Sequence, residues 1–147
     1  MRAVVLDIEG TTTPIAFVYE TLFPYARSRV REFLQAHGDS PECQPHLSRL
    51  RLDLDVDARE AADVPGWIDT PANARADSIV RYVTWLMDRD RKSTALKDLQ
   101  GRIWKAGYES GALVGDVFDD VPRALRHWHQ QGVNAGIFSS GSVLAQK

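Results

Sequence analysis

Residues 3–14 read AVVLDIEGTTTP, and the expected fold follows from them. The first four residues are apolar and rich in β-branched side chains, which predicts a short strand buried on both faces, as in a parallel sheet. The strand ends at Asp7, where a turn-like segment rich in hydroxyl groups begins. In open α/β sheets, ligands bind beyond the carboxyl ends of the strands. We therefore predict an α/β protein with a binding site at this edge.

A second apolar run, VNAGIF at 133–138, predicts another strand of the same kind. A long and mostly helical stretch separates the two strands, although one helix is enough for a parallel crossover. We therefore expect residues 120–131 to form the crossover helix, and the surplus helices to be an insertion after the first strand. The predicted architecture is a Rossmann-like parallel sheet core, incomplete in this chain, with a helical cap. The predicted division is a partial core at 1–14 and 111–147 and a cap at 15–110.

Apolar residues recur at helical spacing within the predicted cap. Helices are expected from Pro24 to Gly38, near 44–51, at 74–88, and from 94 with Ser93 as N-cap. The remainder of 39–72 is polar and carries several prolines, so we expect it to be mobile. Basic and acidic residues alternate over 88–92, a pattern that predicts a solvated turn.

The composition excludes several classes of protein. Lys and Arg total 18 and Asp and Glu total 20, so a basic surface for nucleic acid is not expected. No apolar run approaches the ~20 residues that a membrane span needs. Cys43 is the single cysteine, which excludes an internal disulfide and favours a reducing, cytoplasmic location. We expect Cys43 to be an ordinary residue of a polar stretch.

Two short clusters of polar residues carry the predicted chemistry. Asp7 and Glu9 follow the first strand, and Gly10 permits a tight turn that lets both carboxylates converge on one ligand. One carboxylate can then serve as nucleophile or metal ligand while the other transfers a proton. Ser139 and Ser140 follow the second strand at an expected helix start, which is a site for anions. Helix capping is the alternative role at both places, but together they predict a phosphate site.

The order of strand, Asp-x-acid-Gly-Thr, helical insertion and strand-Ser resembles the first two motifs of haloacid-dehalogenase-like phosphotransferases. Within this superfamily, the amino-acid sequence of four segments is similar to the enolase-phosphatases of methionine salvage, also called acireductone synthases. The similar segments are DIEGTTTPIAFV (7–18), LFPY (22–25), DRKSTALKDLQG (90–101) and SSGSVLAQK (139–147). Most members of the superfamily carry Asp where this chain has Glu9, and Glu followed by Gly-Thr-Thr is characteristic of this one family. The resemblance covers the whole chain but only the N-terminal part of the family's length, so we expect a C-terminal truncation.

This resemblance implies a Mg²⁺-dependent phosphohydrolase that enolises and dephosphorylates 2,3-diketo-5-methylthiopentyl 1-phosphate to the acireductone. Asp7 would attack the phosphorus, form an aspartyl-phosphate and bind Mg²⁺. Glu9 would contribute to the metal site and shuttle protons. Ser139 and Ser140 would bind the substrate phosphate. Family members of full length are expected to be monomers that act on this small molecule without nucleic acid or membrane.

The resemblance also predicts what this chain lacks. A Lys from a third motif and an acidic fourth motif would both follow the SSGS segment at 139–142, and neither is present in the sequence. Two protein positions make a weak Mg²⁺ site, so we expect the isolated chain to be unstable or inactive. Two alternatives remain: a metal-independent haloacid dehalogenase, against which Glu9 argues, and a truncated fragment that acts only by binding a partner chain.

Overall fold

The computed structural model describes residues 2–140 of the chain. Its elements are β1 (Arg2–Leu6), α1 (Phe23–His37), α2 (Gln44–Glu60), α3 (Ala72–Asp88), α4 (Thr94–Glu109), α5 (Val121–Gln130) and β2 (Val133–Ile137), with a π-helical segment at Phe17–Leu22. The two strands pair in parallel, with Arg2 opposite Val133 and Leu6 opposite Ile137. The predicted α/β class and the parallel pairing are therefore confirmed. No helix within these residues is both long enough and apolar enough to cross a membrane.

Helices α1 to α4 enclose a common hydrophobic core. α1 packs against α3 and α4, and α2 packs against α4. Apolar side chains three or four positions apart line the inner face of each helix, and burial of each large one contributes about 1.5–3 kcal/mol. The most deeply buried apolar residues are Ala26, Val30, Cys43, Leu47, Leu50, Ile79, Tyr82, Val83, Leu86, Ala95, Leu99 and Ile103. This core draws on residues that all lie within the predicted cap.

The expectation that the first strand is buried on both faces is wrong for this chain. Val5 of β1 is 67% exposed and Ile137 of β2 is 54% exposed. A parallel sheet is buried when helices cover both of its faces. Within residues 2–140 the sheet has two strands, and α5 packs against β2. These few elements leave the apolar side chains of the strands partly uncovered.

The helix expected from Pro24 begins earlier in the structure. Residues 15–37 are helical throughout, and Phe17–Leu22 adopt π-helical turns directly before Pro24. Proline lacks an N–H group and cannot donate to the carbonyl four residues back, so the hydrogen-bond ladder changes at this point. Gly38 follows the last helical residue, as predicted.

The second helix is longer than the sequence led us to expect, and residues 52–60, which belong to the stretch predicted to be mobile, are helical. α2 continues to Glu60 because Leu54 and Asp57 extend its buried face. Asp57 interrupts the helical repeat of apolar residues in the sequence. Its burial could not be expected, since charged residues are almost never fully buried unless they are paired. The predictions for the next two helices are confirmed, and Ser93 Oγ accepts the N–H of Leu96 at 3.1 Å as the N-cap of α4.

Candidate functional site

Asp7 lies directly beyond β1, at the start of a tight loop. The carbonyl of Ile8 accepts the backbone N–H groups of residues 11–13 at 3.2, 3.0 and 2.9 Å. Gly10 has a φ of +76°, a left-handed conformation that glycine adopts at no steric cost. The loop therefore folds back on itself, and both Asp7 and Glu9 are exposed on it.

The carboxylate of Asp7 is held by a short local hydrogen bond. Its Oδ1 accepts the N–H of Ile8 at 2.7 Å. The bond orients the side chain, and the exposure of Asp7 leaves the carboxylate accessible to a ligand. Glu9 pairs with Thr13 through an isolated β-bridge, which orders the backbone around the second carboxylate.

The other two predicted site residues lie at the same edge of the sheet. The N–H of Phe138 donates to the carbonyl of Leu6 at 2.9 Å, so the pairing continues past the last residue of β2. The pairing of Leu6 with Ile137 makes Phe138 level with Asp7, and Ser139 is the next residue along a strand about 5 Å away. Ser139 is half-buried and Ser140 is exposed. The structure thus brings the acidic loop and the two serines to one place, and their chemical roles stay a prediction.

The predicted helix start after these serines falls on residues 141–147, which lie outside the described part of the chain. The anion site is therefore supported by the strand register and by the hydroxyl groups of Ser139 and Ser140. The helix N-terminus that would complete it stays a prediction.

Sequence reasoning assigned no role to Thr12, although the motif contains it. Thr12 is 8% exposed, in contrast to the exposed residues before it in the loop. Its Oγ1 donates to the carbonyl of Asp7 at 3.2 Å and lies 3.4 Å from that of Ile8. Its own carbonyl accepts the N–H of Phe118 at 3.1 Å. No local signal predicts this link, because Phe118 lies far along the chain.

The oxygen atoms of Asp7 and Glu9 at this edge fit one mode of magnesium binding. Among residues 2–140, no group of three or more His, Cys, Asp and Glu side chains is placed to hold a metal. Asp7 and Glu9 offer oxygen atoms only, on an exposed loop. Mg²⁺ prefers oxygen ligands, keeps several waters, and often binds through one or two carboxylates and a substrate phosphate. The two residues suit that mode of binding and do not form an all-protein metal cage.

Residues 88–92 are exposed, as predicted for a solvated turn, and Arg91 in this turn also makes contacts with α2. Its Nε and Nη2 donate to Asp57 Oδ1 at 3.0 and 2.5 Å, and Nη2 also donates to Glu60 at 2.8 Å. The hydroxyl of Tyr82 donates to Asp57 Oδ2 at 2.8 Å. Burial, reinforced by this hydrogen bond, raises the pKa of Tyr82. These residues join α2, α3 and the following turn, so their contacts are structural.

Cys43 lies in the hydrophobic core, although the sequence around it is polar. Its side chain is 1% exposed and belongs to the core of α1 to α4. Burial raises the pKa of its thiol. The free thiol therefore behaves as a small apolar side chain.

Comparison with known proteins gives consistent matches. The family described as haloacid dehalogenase-like hydrolase matches residues 1–147. Enolase-phosphatase E1 of Synechococcus elongatus is 50% identical over 147 residues, which cover 100% of this chain and 59% of that protein. Enolase-phosphatase E1 of Xenopus tropicalis is 42% identical, with 100% and 58% covered.

A solved structure, the UTR4 protein of Saccharomyces cerevisiae, matches with a TM-score of 0.65 at 33% identity. The match covers 99% of this chain and 54% of the yeast chain. The chain thus spans less than two thirds of the length of these relatives, in agreement with a resemblance to part of the family's length.

Proposed function

This chain belongs to the haloacid dehalogenase-like hydrolases, and from that membership we propose that it carries the nucleophile and the phosphate-binding hydroxyls of a Mg²⁺-dependent phosphohydrolase of methionine salvage. The substrate would be 2,3-diketo-5-methylthiopentyl 1-phosphate, enolised and then dephosphorylated to the acireductone. One observation carries the proposal: the hydrogen bond from Phe138 to Leu6 continues the parallel pairing to the point where Asp7 follows β1 and Ser139 follows Phe138, at the same carboxyl edge of the sheet. Similarity to proteins named enolase-phosphatase E1 supports this choice of substrate.

In the proposed reaction the Asp7 carboxylate attacks the phosphorus, and the bond from phosphorus to the substrate oxygen breaks. Glu9 gives its proton to that leaving oxygen. Water then attacks the phosphoryl group, Glu9 takes the proton of the water, and the bond from phosphorus to Asp7 breaks. Inorganic phosphate leaves, and both carboxyl groups return to their starting states.

The residues that follow β2 bind and orient the phosphate in this proposal. The hydroxyl groups of Ser139 and Ser140 donate to the phosphate oxygens in this proposal. The carboxylate of Asp7 and the backbone carbonyl of Glu9 would hold Mg²⁺, which would supply positive charge to offset the phosphate charge.

We further propose that residues 15–110 are a cap and that residues 1–14 and 111–147 belong to the core. The common core of α1 to α4 supports this division, because these helices bury their apolar faces on one another. The cap would cover the bound substrate and exclude water from the phosphoryl transfer.

The test is covalent labelling of Asp7 under single-turnover conditions, because the isolated chain, with its weak Mg²⁺ site, is predicted to be inactive in steady-state turnover. The purified chain is mixed with the phosphorylated diketone and Mg²⁺, quenched in acid, and examined by peptide mass spectrometry. We expect a phosphoryl group on Asp7, absent when a chelator replaces Mg²⁺ and absent in Asp7→Asn. Asp55→Asn, which changes an exposed carboxylate of α2, should label like the wild type. Labelling of Asp7→Asn, or none of the wild type at saturating Mg²⁺, would contradict the proposal.

A second candidate function, partner binding, is favoured by the exposed apolar residues near the sheet. Val5 of β1 and Phe138 after β2 are 67% and 79% exposed, and exposed apolar surface of this kind marks interaction sites. Size-exclusion chromatography with light scattering separates the two functions. Monodisperse oligomers without labelling of Asp7 would support partner binding, and a monomer with Mg²⁺-dependent labelling would support the phosphohydrolase.

A further inference from the structure

We infer that Thr12 is a positioning residue that sets the orientation of the Asp7 carboxylate. The inference rests on the proposed function, in which Asp7 is the nucleophile. Thr12 is 8% exposed, whereas Glu9, Gly10 and Thr11 are exposed. Its hydroxyl therefore points away from the open side of the loop, and its contacts are with the backbone beneath Asp7.

The peptide group between Asp7 and Ile8 is held at both of its polar ends. Its carbonyl oxygen, which belongs to Asp7, accepts the hydroxyl of Thr12 at 3.2 Å, the shorter of the two contacts of this hydroxyl; the carbonyl of Ile8 lies 3.4 Å from it. Its N–H, which belongs to Ile8, donates to Asp7 Oδ1 at 2.7 Å. A peptide group is planar, so a contact that fixes the carbonyl also fixes the direction of the N–H. The hydroxyl of Thr12 thereby determines where the carboxylate that accepts this N–H must lie.

Thr12 is itself fixed from another part of the chain. Its carbonyl accepts the N–H of Phe118 at 3.1 Å, and the carbonyl of Phe118 accepts the N–H of Val121 at 3.0 Å. Val121 is the first residue of α5, the helix that leads to β2 and the serines. Both links use backbone atoms, so a change in the side chain of Thr12 leaves them in place. The hydroxyl can therefore be removed without cutting the loop from α5.

The first measurement is hydrogen exchange of the Ile8 amide by nuclear magnetic resonance. Thr12→Val removes the hydroxyl and keeps the shape, Thr12→Ser keeps the hydroxyl, and Thr11→Val alters an exposed neighbour as the control. We expect Ile8 to exchange about tenfold faster in Thr12→Val, the scale of one lost hydrogen bond. The amides of β1 and β2 should keep their rates, and the other two variants should match the wild type. An unchanged Ile8 rate, or equal acceleration throughout the sheet, would overturn the inference.

The second measurement is the rate and concentration dependence of Asp7 phosphorylation. We expect Thr12→Val to slow phosphoryl transfer by at least about tenfold, because small displacements of a reacting group are costly. The substrate concentration at half-maximal rate should change by less than about twofold, and Thr12→Ser should restore the rate. Equal slowing in both variants would refute a role for the hydroxyl. If the wild type forms no phospho-Asp7, the proposed function fails, and the exchange of Ile8 still decides the role of Thr12.

Discussion

Replacement of Asp57 by alanine should destabilise the helical region more than any change to an exposed carboxylate. Asp57 is 4% exposed and accepts hydrogen bonds from two other segments. Its Oδ2 accepts from the hydroxyl of Tyr82, a residue with no exposed surface, at 2.8 Å. Its Oδ1 accepts two bonds from Arg91. The substitution removes all three bonds at once.

The expected magnitude follows from the burial of the two donors. The Tyr82 hydroxyl would remain in the core without its acceptor, at a cost of about 1–3 kcal/mol. The side chain of Arg91 is 44% exposed and keeps Glu60 as a partner, so its share is at most ~1 kcal/mol after solvent screening. The free energy of unfolding should therefore fall by roughly 1–4 kcal/mol, and the Tm by roughly 10 °C.

Urea denaturation followed by far-ultraviolet circular dichroism measures this loss. Asp55→Ala is the matched control on the same helix, since Asp55 is exposed and lies 3.7 Å from Arg51; its cost should stay within about 0.5 kcal/mol. In a Tyr82→Phe background, Asp57→Ala should lower the free energy of unfolding by about 1–2 kcal/mol less, because no buried hydroxyl is then left without an acceptor. Equal costs of Asp57→Ala and Asp55→Ala, or no difference between the two backgrounds, would refute the reasoning.

Three further predictions concern single side chains. Because burial raises the pKa of Tyr82 in the folded state, stability should fall as the pH rises above about 10, where the unfolded phenol loses its proton. Urea titrations should show a smaller fall in Tyr82→Phe, and equal falls would contradict the prediction. The Cys43 thiol is buried and its pKa is raised, so iodoacetamide should modify it at least about a hundredfold faster in urea than in the folded protein; similar rates would show that the site is open. Ser93→Ala removes the hydrogen bond that caps α4 at Leu96 and the bond to Asp53. It should lower the free energy of unfolding by about 1–2 kcal/mol in urea titrations, whereas Ser48→Ala, at an exposed position, should leave it almost unchanged.

Much of the fold and the placement of the site could be predicted from the sequence, because the deciding signals are local. An apolar run that ends in Asp7 predicted β1, and VNAGIF predicted β2. Ser93 before an apolar period predicted the start of α4. Each signal depends on side chains within about four positions along the chain. Since parallel strands end at one edge, the same reasoning predicted that Asp7 and Ser139 follow the two strands at the same edge of the sheet, and their roles stay a prediction.

The tertiary structure alone decided which polar groups are buried and which apolar groups stay exposed. Thr12 meets Phe118, and Arg91 meets Asp57, across long separations in the sequence. Val5 is exposed although its neighbours predict a covered strand. Burial is set by the elements that pack on a residue from elsewhere in the chain, whereas propensity and periodicity describe only the neighbours on its own element. For this reason the strands and the acidic loop follow from the sequence by itself, and the contacts that orient the Asp7 carboxylate appear only when the chain has folded.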